Sequence, residues 1–345
     1  MWKEKETGIK QSDAFPFLVM VYFLANYNWK LKSFLVDGLN AKGIRTDYIL
    51  TPETKSKLLN WSAGAIKAII KSNRRDVILC NYDFQAVLCY WLCWITFRKR
   101  RIVAINILLK EKNTIRNKIV TWMYRIALHD EKWMKATVTS IGYGEKIQRR
   151  LHVSNGFPLV RDWYGYSGKE KPYDNKGKRI FCGGSNGRDW DKVIRIAKLM
   201  PDYHFLLVMP SAFKKKYGNL RLKNVNLRFD LPFEQFISAL SQCTFVLLPV
   251  DTDAPAGLVV MFQAAFLGRL VFTNNNSVLK EYIGEDNGIM IDGGENDYVS
   301  AIQYYQEHTS EACDKVCNFQ HFLQNNCSED LYCESIYKIL YEYES

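Results

Sequence analysis

The chain has 345 residues, 48% of them apolar and 24% charged, and a formal net charge of +11. That length exceeds what a single hydrophobic core usually holds, and the composition excludes a disordered or fibrous chain, so two globular domains are expected. Nine cysteines without a CxxC pair or a Cys/His cluster exclude a zinc module and a disulfide framework, and they indicate free thiols in a reducing, cytoplasmic compartment.

The apolar run 15–25 contains Pro16, follows acidic residues and has no small-x-small cleavage site, so it predicts a buried strand at Phe17–Leu24 rather than a secretory signal. The segment Trp29–Ala41 places Leu31, Phe34, Leu35 and Leu39 on one face and predicts a helix. A strand at Asp47–Leu50, a helix at Leu58–Ile70 and a strand at Asp76–Cys80 follow. The next helix runs from about Asp83 to Phe97, and its apolar part is too short to span a bilayer. Then come a strand at Arg101–Leu109, a helix at Asn113–Leu128 and a strand at Ala136–Ser140. Ser140-Ile-Gly142-Tyr is placed to cap a further helix at a cleft between domains. Near-continuous apolar strands alternating with helices imply a parallel sheet covered on both faces.

The stretch "YGYSGKEKPYDNKGK", residues 164–178, is polar and without periodicity, as a linker is. An amino-terminal domain is expected over 1–160, a linker over 161–178, a carboxy-terminal domain over 179–328 and a terminal helix over 329–345. In the second half, strands are predicted at Arg179–Cys182, His204–Met209, Val225–Phe229, Thr244–Pro249, Leu270–Thr273 and Gly288–Ile291. Helices are predicted at about 189–200, 233–242, 257–267, 277–283 and 295–307. The expected fold is α/β, with two doubly wound Rossmann-like domains facing a cleft. In such sheets ligands bind at the strand C-termini.

Charge divides along the same line. Residues 1–170 hold 29 Lys and Arg against 14 Asp and Glu, and the remainder 18 against 22. The basic half therefore faces something anionic. Its basic stretches, "WITFRKRR" at 94–101, "KEKNTIRNKIVTWMYR" at 110–125 and "EKIQRR" at 145–150, are rich in aromatics. Ile115, Ile119, Trp122 or Met123, and Ile126 share a helical face. That face is either core or the edge of a helix resting on an anionic membrane surface, which would make the protein peripheral on the inner face of the membrane. No nucleic-acid-binding motif is present, so no nucleic-acid partner is expected. The five histidines are too scattered for a metal site.

Two constellations carry chemistry. In "IFCGGSNGRDWDKVIRIAKLM", residues 180–200, a strand ends in Gly183-Gly184, followed by Ser185, Asn186, Gly187 and Arg188. Asp189 is a helix N-cap. Paired glycines expose backbone amides, and with Arg188 and a helix N-terminus they suit a diphosphate. An ordinary capped βα loop is the alternative. In "APAGLVVMFQAAFLGRLVFTNN", residues 254–275, a helix starts at Gly257 behind Asp251 and Asp253, and one amide, Gln263, lies inside its apolar run.

From "CGGSNGRDW" through "VNLRFDLPFEQFISALSQCTFVLLPV" to "PAGLVVMFQAAFLGRLVFTNNNSVLKEYI" and "NGIMI", the second half resembles the C-terminal domain of retaining GT-B glycosyltransferases of the GT4 type. The resemblance implies transfer of a sugar from a nucleoside diphosphate sugar, a co-substrate, to an acceptor hydroxyl. The acceptor would be a glycan or a lipid-linked acceptor in surface or capsular polysaccharide assembly. Ala264 and Gly268 match the family's pattern. Gln263 falls where the second of two acids belongs, the one that holds the ribose hydroxyls. Pro255 falls where the first belongs, unless Asp253 or Asp251 supplies it. The resemblance further implies that Arg188 and Lys192 stabilise the diphosphate, with Gly183, Gly184 and Ser185 beside it. Ala256, Gly257 and Leu258 would face the sugar or its diphosphate, and Asp230 and Leu231 would border the base. Some members place a histidine near the donor sugar, for which His129 is a candidate. No metal or cofactor is implied. A non-catalytic nucleotide-sugar-binding scaffold and a GT-B-fold epimerase are the alternatives.

Overall fold

The computed structural model describes residues 20–26, 33–52, 54, 56–109, 113–166 and 168–342. Parts of the expected Phe17–Leu24 strand and Trp29–Ala41 helix lie outside them. The elements are β1 Val21–Ala25, α1 Phe34–Ala41, β2 Thr46–Leu50, α2 Lys57–Lys71, β3 Val77–Cys80, α3 Asp83–Ile95, β4 Arg101–Ala104, α4 Ile115–His129, β5 Met134–Ala136 and α5 Ile141–Leu151. The second half contains β6 Arg179–Gly183, α6 Trp190–Leu199, β7 His204–Met209, α7 Lys214–Tyr217, β8 Val225–Phe229, α8 Phe233–Ser241, β9 Phe245–Leu248, α9 Leu258–Phe266, β10 Leu270–Asn274, β11 Ile289–Ile291, α10 Glu295–Glu307, α11 Thr309–Asn326 and α12 Glu329–Glu342.

They build two parallel sheets, in strand order β2-β1-β3-β4-β5 and β11-β10-β9-β6-β7-β8. The central strands β1, β3 and β9 are buried throughout, as strands covered on both faces must be. Helix α12 closes the molecule by returning to the first sheet's helices. Cys333 Sγ donates to the Phe34 carbonyl at 3.6 Å, and Lys42 Nζ pairs with Glu334 at 2.6 Å.

Among the elements that were predicted, β4, the 277–283 helix and the 136–140 strand differ most from their expectations. Strand β4 ends at Ala104, not Leu109, because Asn106 takes a left-handed conformation (φ 49°) and leaves the ladder. Its amide donates to Thr137 Oγ1 at 2.8 Å and its Nδ2 to Asp162 at 2.9 Å. The helix expected at 277–283 is a single 3₁₀ turn, Leu279–Glu281. There Asn276 Oδ1 accepts from the amides of Val278 and Leu279, a side-chain competitor to helical pairing. The strand expected at Ala136–Ser140 lies earlier, at Met134–Ala136. Ser140 is instead the N-cap of α5, accepting from the Tyr143 amide at 3.2 Å.

The apolar stripe of α4 divides: Met123 and Ile126 pack against the core, and its first turns do not. Tyr124, Ala127 and Leu128 are its buried positions, whereas Ile115, Ile119 and Trp122 are 80%, 53% and 54% exposed.

Candidate functional site

The C-terminal ends of β6 and β9 lie side by side in the second sheet, and their loops are zipped together. The Asp189 amide donates to the Pro249 carbonyl at 3.1 Å and the Asp251 amide to the Gly187 carbonyl at 3.0 Å. Asn274, ending the neighbouring β10, holds the same loop. Its Oδ1 accepts from the Val250 amide at 2.6 Å and its Nδ2 donates to the Val250 carbonyl at 3.1 Å. Asn276 Nδ2 adds a bond to the Thr252 carbonyl at 2.6 Å.

Arg188 sits where the loops meet. It is only 6% exposed. Its Nε donates to the Gly183 carbonyl at 2.9 Å and its Nη1 to the Asn186 carbonyl at 3.3 Å. No described carboxylate pairs with it within 4 Å. Burial pulls its proton affinity below the usual guanidinium range, with Cys182 and Asp251 acting in the opposite direction. The guanidinium lies against Gly184 and Gly257, both at positive φ (119° and 92°). A Cβ on Gly184 would stand 3.0 Å from Arg188 Nη2, and one on Gly257 3.2 Å from Nη1. Gly257 is the N-cap of α9, so the first-turn amides from Leu258 on, which have no acceptor within the helix, open beside the same cation. Ala256 and Leu258 are buried around it.

The second amide site is also buried. Gln263, 4% exposed, leaves its Oε1 without a hydrogen-bond partner. It lies three residues after Val260, whose Cγ2 faces Gly184, so the two share a helix face. An unpaired buried carbonyl of this kind costs on the order of 1–3 kcal/mol.

The other expected positions are not brought to Arg188 in the same way. Lys192, whose amide is capped by Asp189 Oδ1 at 2.9 Å, sends its Nζ to the Gly293 carbonyl at 3.3 Å and over the Tyr298 ring at 5.0 Å. Asp253 is tied across the cleft to Lys146 of α5 at 2.7 Å, and Asp251 and Ser185 are exposed. Asp230 has a left-handed backbone (φ 48°) and accepts from the Ser211 amide at 2.9 Å. Hydrogen bonding from the Ser211 side chain, and then from its amide, holds the Asp230 carboxyl below the usual range. Leu231 packs on the core from the same edge of the sheet. His129 ends α4, at the sheet edge opposite the strand C-termini, which removes it from this cleft.

Sequence reasoning missed what closes the cleft. Glu281 reaches from the second domain onto the N-terminus of α5. Its Oε1 accepts from Ser140 Oγ and from the Gly142 amide, both at 2.8 Å, and its Oε2 accepts from the Ile141 amide at 2.9 Å. The neighbouring Tyr282 donates to the Thr139 carbonyl at 2.8 Å, and Arg161 Nη1 donates to the Glu281 carbonyl at 3.1 Å. Burial raises the Asp162 carboxyl to about 6, against hydrogen bonds from Asn106 and Thr139. The one signal in the sequence was Ser140 as a helix cap; its acidic partner lies 141 positions away.

No cluster of His, Cys, Asp and Glu among the described residues has the form of a metal site, and no described helix is long and apolar enough to cross a membrane.

No protein-family model matches the sequence, and no curated protein matches it. Solved structures do match. Anabaena HepE in complex with UDP and glucose aligns with a TM-score of 0.63 at 14% identity, over 93% of this chain and 99% of that one. Sucrose-phosphate synthase from Thermosynechococcus elongatus aligns with a TM-score of 0.66 at 12% identity, over 94% and 98%. S. aureus TarM aligns with a TM-score of 0.64 at 15% identity, over 85% of this chain and 60% of that one. The chain therefore has the GT-B fold, two Rossmann-like domains on parallel sheets, in common with these structures.

Proposed function

We propose that this chain is a retaining glycosyltransferase of the GT4 type. It moves a sugar from a nucleoside diphosphate donor to a hydroxyl of a lipid-linked glycan in surface polysaccharide assembly. The observation that carries this reading is Arg188, a buried cation without a described carboxylate partner, flanked by two glycines and the open amides of α9. Two carbonyls and the field of Asp251 offset its burial in part, and an entering diphosphate would complete that compensation. As the C1–O bond to the diphosphate breaks, charge collects on the leaving phosphate, where Arg188 and the amides stabilise it. The acceptor hydroxyl forms the new bond to C1 and its proton passes to the departing diphosphate. Gln263 holds the ribose hydroxyls as donor and acceptor. On this reading Asp230 and Leu231 border the base and Asp251 faces the sugar, while Asp253 and Lys192 reach the sugar and the diphosphate by leaving Lys146 and Gly293.

A thermal-shift panel of UDP, GDP, ADP and CMP sugars tests the reading, with UDP first because HepE is solved with UDP and glucose. Stabilisation by one of them, followed by sugar-dependent nucleotide release, supports the transferase. Binding without turnover supports a nucleotide-sugar-binding scaffold, release of an altered sugar an epimerase, and absence of binding overturns all three. Gln263→Glu is expected to bind the preferred nucleotide about fivefold more tightly, because a charge-assisted hydrogen bond is worth about twice a neutral one. The empty variant should melt lower because it buries a carboxylate. Calorimetric titration showing unchanged affinity would remove Gln263 from the site.

Membrane association belongs to the same reading. Phe97 is 94% and Trp94 65% exposed, and Trp91 stacks on Trp122 at 5.3 Å. This joins the last turns of α3 to α4, with Arg98, Lys99 and Arg100 following α3. Each such cation contributes about 1 kcal/mol near anionic lipid. Sedimentation with vesicles of equal parts phosphatidylglycerol and phosphatidylcholine should carry the protein down, and the Phe97→Asp/Trp94→Asp double variant should remain in the supernatant.

A further inference from the structure

Helices α4 and α5 border an open groove of about 580 Å³. Lys118 and Arg125 enter it from α4, Lys146 and Arg150 from α5 and His152 from the residue after α5, and none of its described lining residues is a carboxylate. Trp122, half exposed, forms part of the wall. Four permanent cations in one groove repel one another, a cost that an entering anion removes.

The four are not equivalent. Arg150 donates to Thr121 Oγ1 at 3.2 Å, which aims it across the groove. Lys146 is held by Asp253 at 2.7 Å. The exposed side chains of Lys118 and Arg125 have no hydrogen-bond or ion-pair partner among the described residues. The Lys146–Asp253 contact also fixes where the groove leads. Asp253 lies in the loop between β9 and α9, the loop that packs on Arg188, so one end of the groove opens at the interdomain cleft. Ile115 and Ile119, in the first turns of the same exposed helix, extend the apolar face toward the cleft end of α4.

We propose that this groove is an acceptor subsite for a phosphate or diphosphate group. Lys118 and Arg125 are its principal anion contacts, Arg150 is a third, and the Trp122 ring takes the adjoining sugar. The proposal rests on the glycosyltransferase reading for the word acceptor, but the anion site stands on the groove itself. The chemistry is shared by two sources, a lipid diphosphate at the membrane and a soluble phosphate-bearing glycan.

Calorimetric titration of the full chain with three probes tests it: inorganic pyrophosphate, farnesyl diphosphate in neutral detergent micelles, and oligomers of glycerol phosphate. At least one probe should bind the wild type and weaken about tenfold or more in K118E/R125E, as expected when charge contacts are reversed. The same probe should keep its affinity in Arg188→Met, which separates the groove from the donor site. Preference for farnesyl diphosphate marks a lipid source, and preference for the glycerol phosphate oligomer marks a soluble one. Both reversed side chains are exposed, so K118E/R125E should melt with the wild type and keep its UDP affinity, and the acceptor KM should rise while the donor KM stays. Probe affinity unchanged by the charge reversal, or no binding of any probe to the wild type, overturns the proposal. Failure of the wild type to bind any nucleotide, with the groove result intact, would instead overturn the glycosyltransferase reading.

Discussion

Arg188→Met is expected to lower turnover about 10²–10³-fold, the usual effect of removing one preorganised donor from a developing negative charge, while leaving the empty protein close to its original stability. Two effects oppose one another in the fold. The variant strips the Gly183 and Asn186 carbonyls of their side-chain donors, at about 1–3 kcal/mol. It also removes a cation that is 6% exposed and has no described carboxylate to offset its lost hydration, a relief of similar size. The melting temperature of the empty protein should therefore stay within roughly 4 °C of wild type. The stabilisation that nucleotide gives the wild type should vanish, since it depends on binding to the folded state. Initial-rate kinetics paired with calorimetric scans checks both halves. Equal turnover in the two proteins would take Arg188 out of the chemistry, and a collapse of the empty variant would make it a structural residue.

Glu281→Ala is the second large effect, and its target is the contact between the domains. The carboxylate satisfies two amides at the start of α5 and the Ser140 hydroxyl. Those amides form a helix N-terminus that favours negative charge. Charged hydrogen bonds are worth about 1.5–3 kcal/mol each, and the partial exposure of this site places the total loss at about 2–4 kcal/mol. Each sheet keeps a separate core on one face, while one apolar cluster spans the two domains, so the loss should loosen the cleft before it unfolds either domain. Small-angle scattering is expected to show a larger radius of gyration, and scanning calorimetry a broadened or split transition. Glu281→Gln, which keeps an acceptor but loses the charge, should fall between. If the alanine variant has the wild-type radius and a single unshifted transition, Glu281 does not latch the domains.

Strands β7 and β8 coincide with their predicted limits, and α10 with its own, because a short run or alternation of apolar residues between polar or glycine boundaries carries its signal in adjacent residues. Helix α11 lies outside every predicted element. Its buried face of Ala312, Val316, Phe319, Gln320 and Leu323 is diluted by polar and small side chains, so no helix was expected there. The α4 stripe had the correct period, but periodicity identifies a face without saying what covers it. The same limit applies to the site. Arg188, Gly257 and Gln263 could be singled out from short motifs and a family resemblance, yet Lys192 turns toward Gly293 and Asp253 toward Lys146 for reasons that no motif contains.

Strand and helix alternation, the two-sheet architecture and the glycine-flanked loops at the ends of β6 and β9 were legible in the chain, because local propensity, burial pattern and backbone sterics act within short windows. The enclosure of Arg188 without a described carboxylate partner, the capping by Glu281 of a helix 141 positions away and the single groove bordered by the basic faces of α4 and α5 emerged on folding. Each of these depends on which distant charges meet once water has been excluded, and Coulomb interactions through the fold leave no periodic trace in the chain.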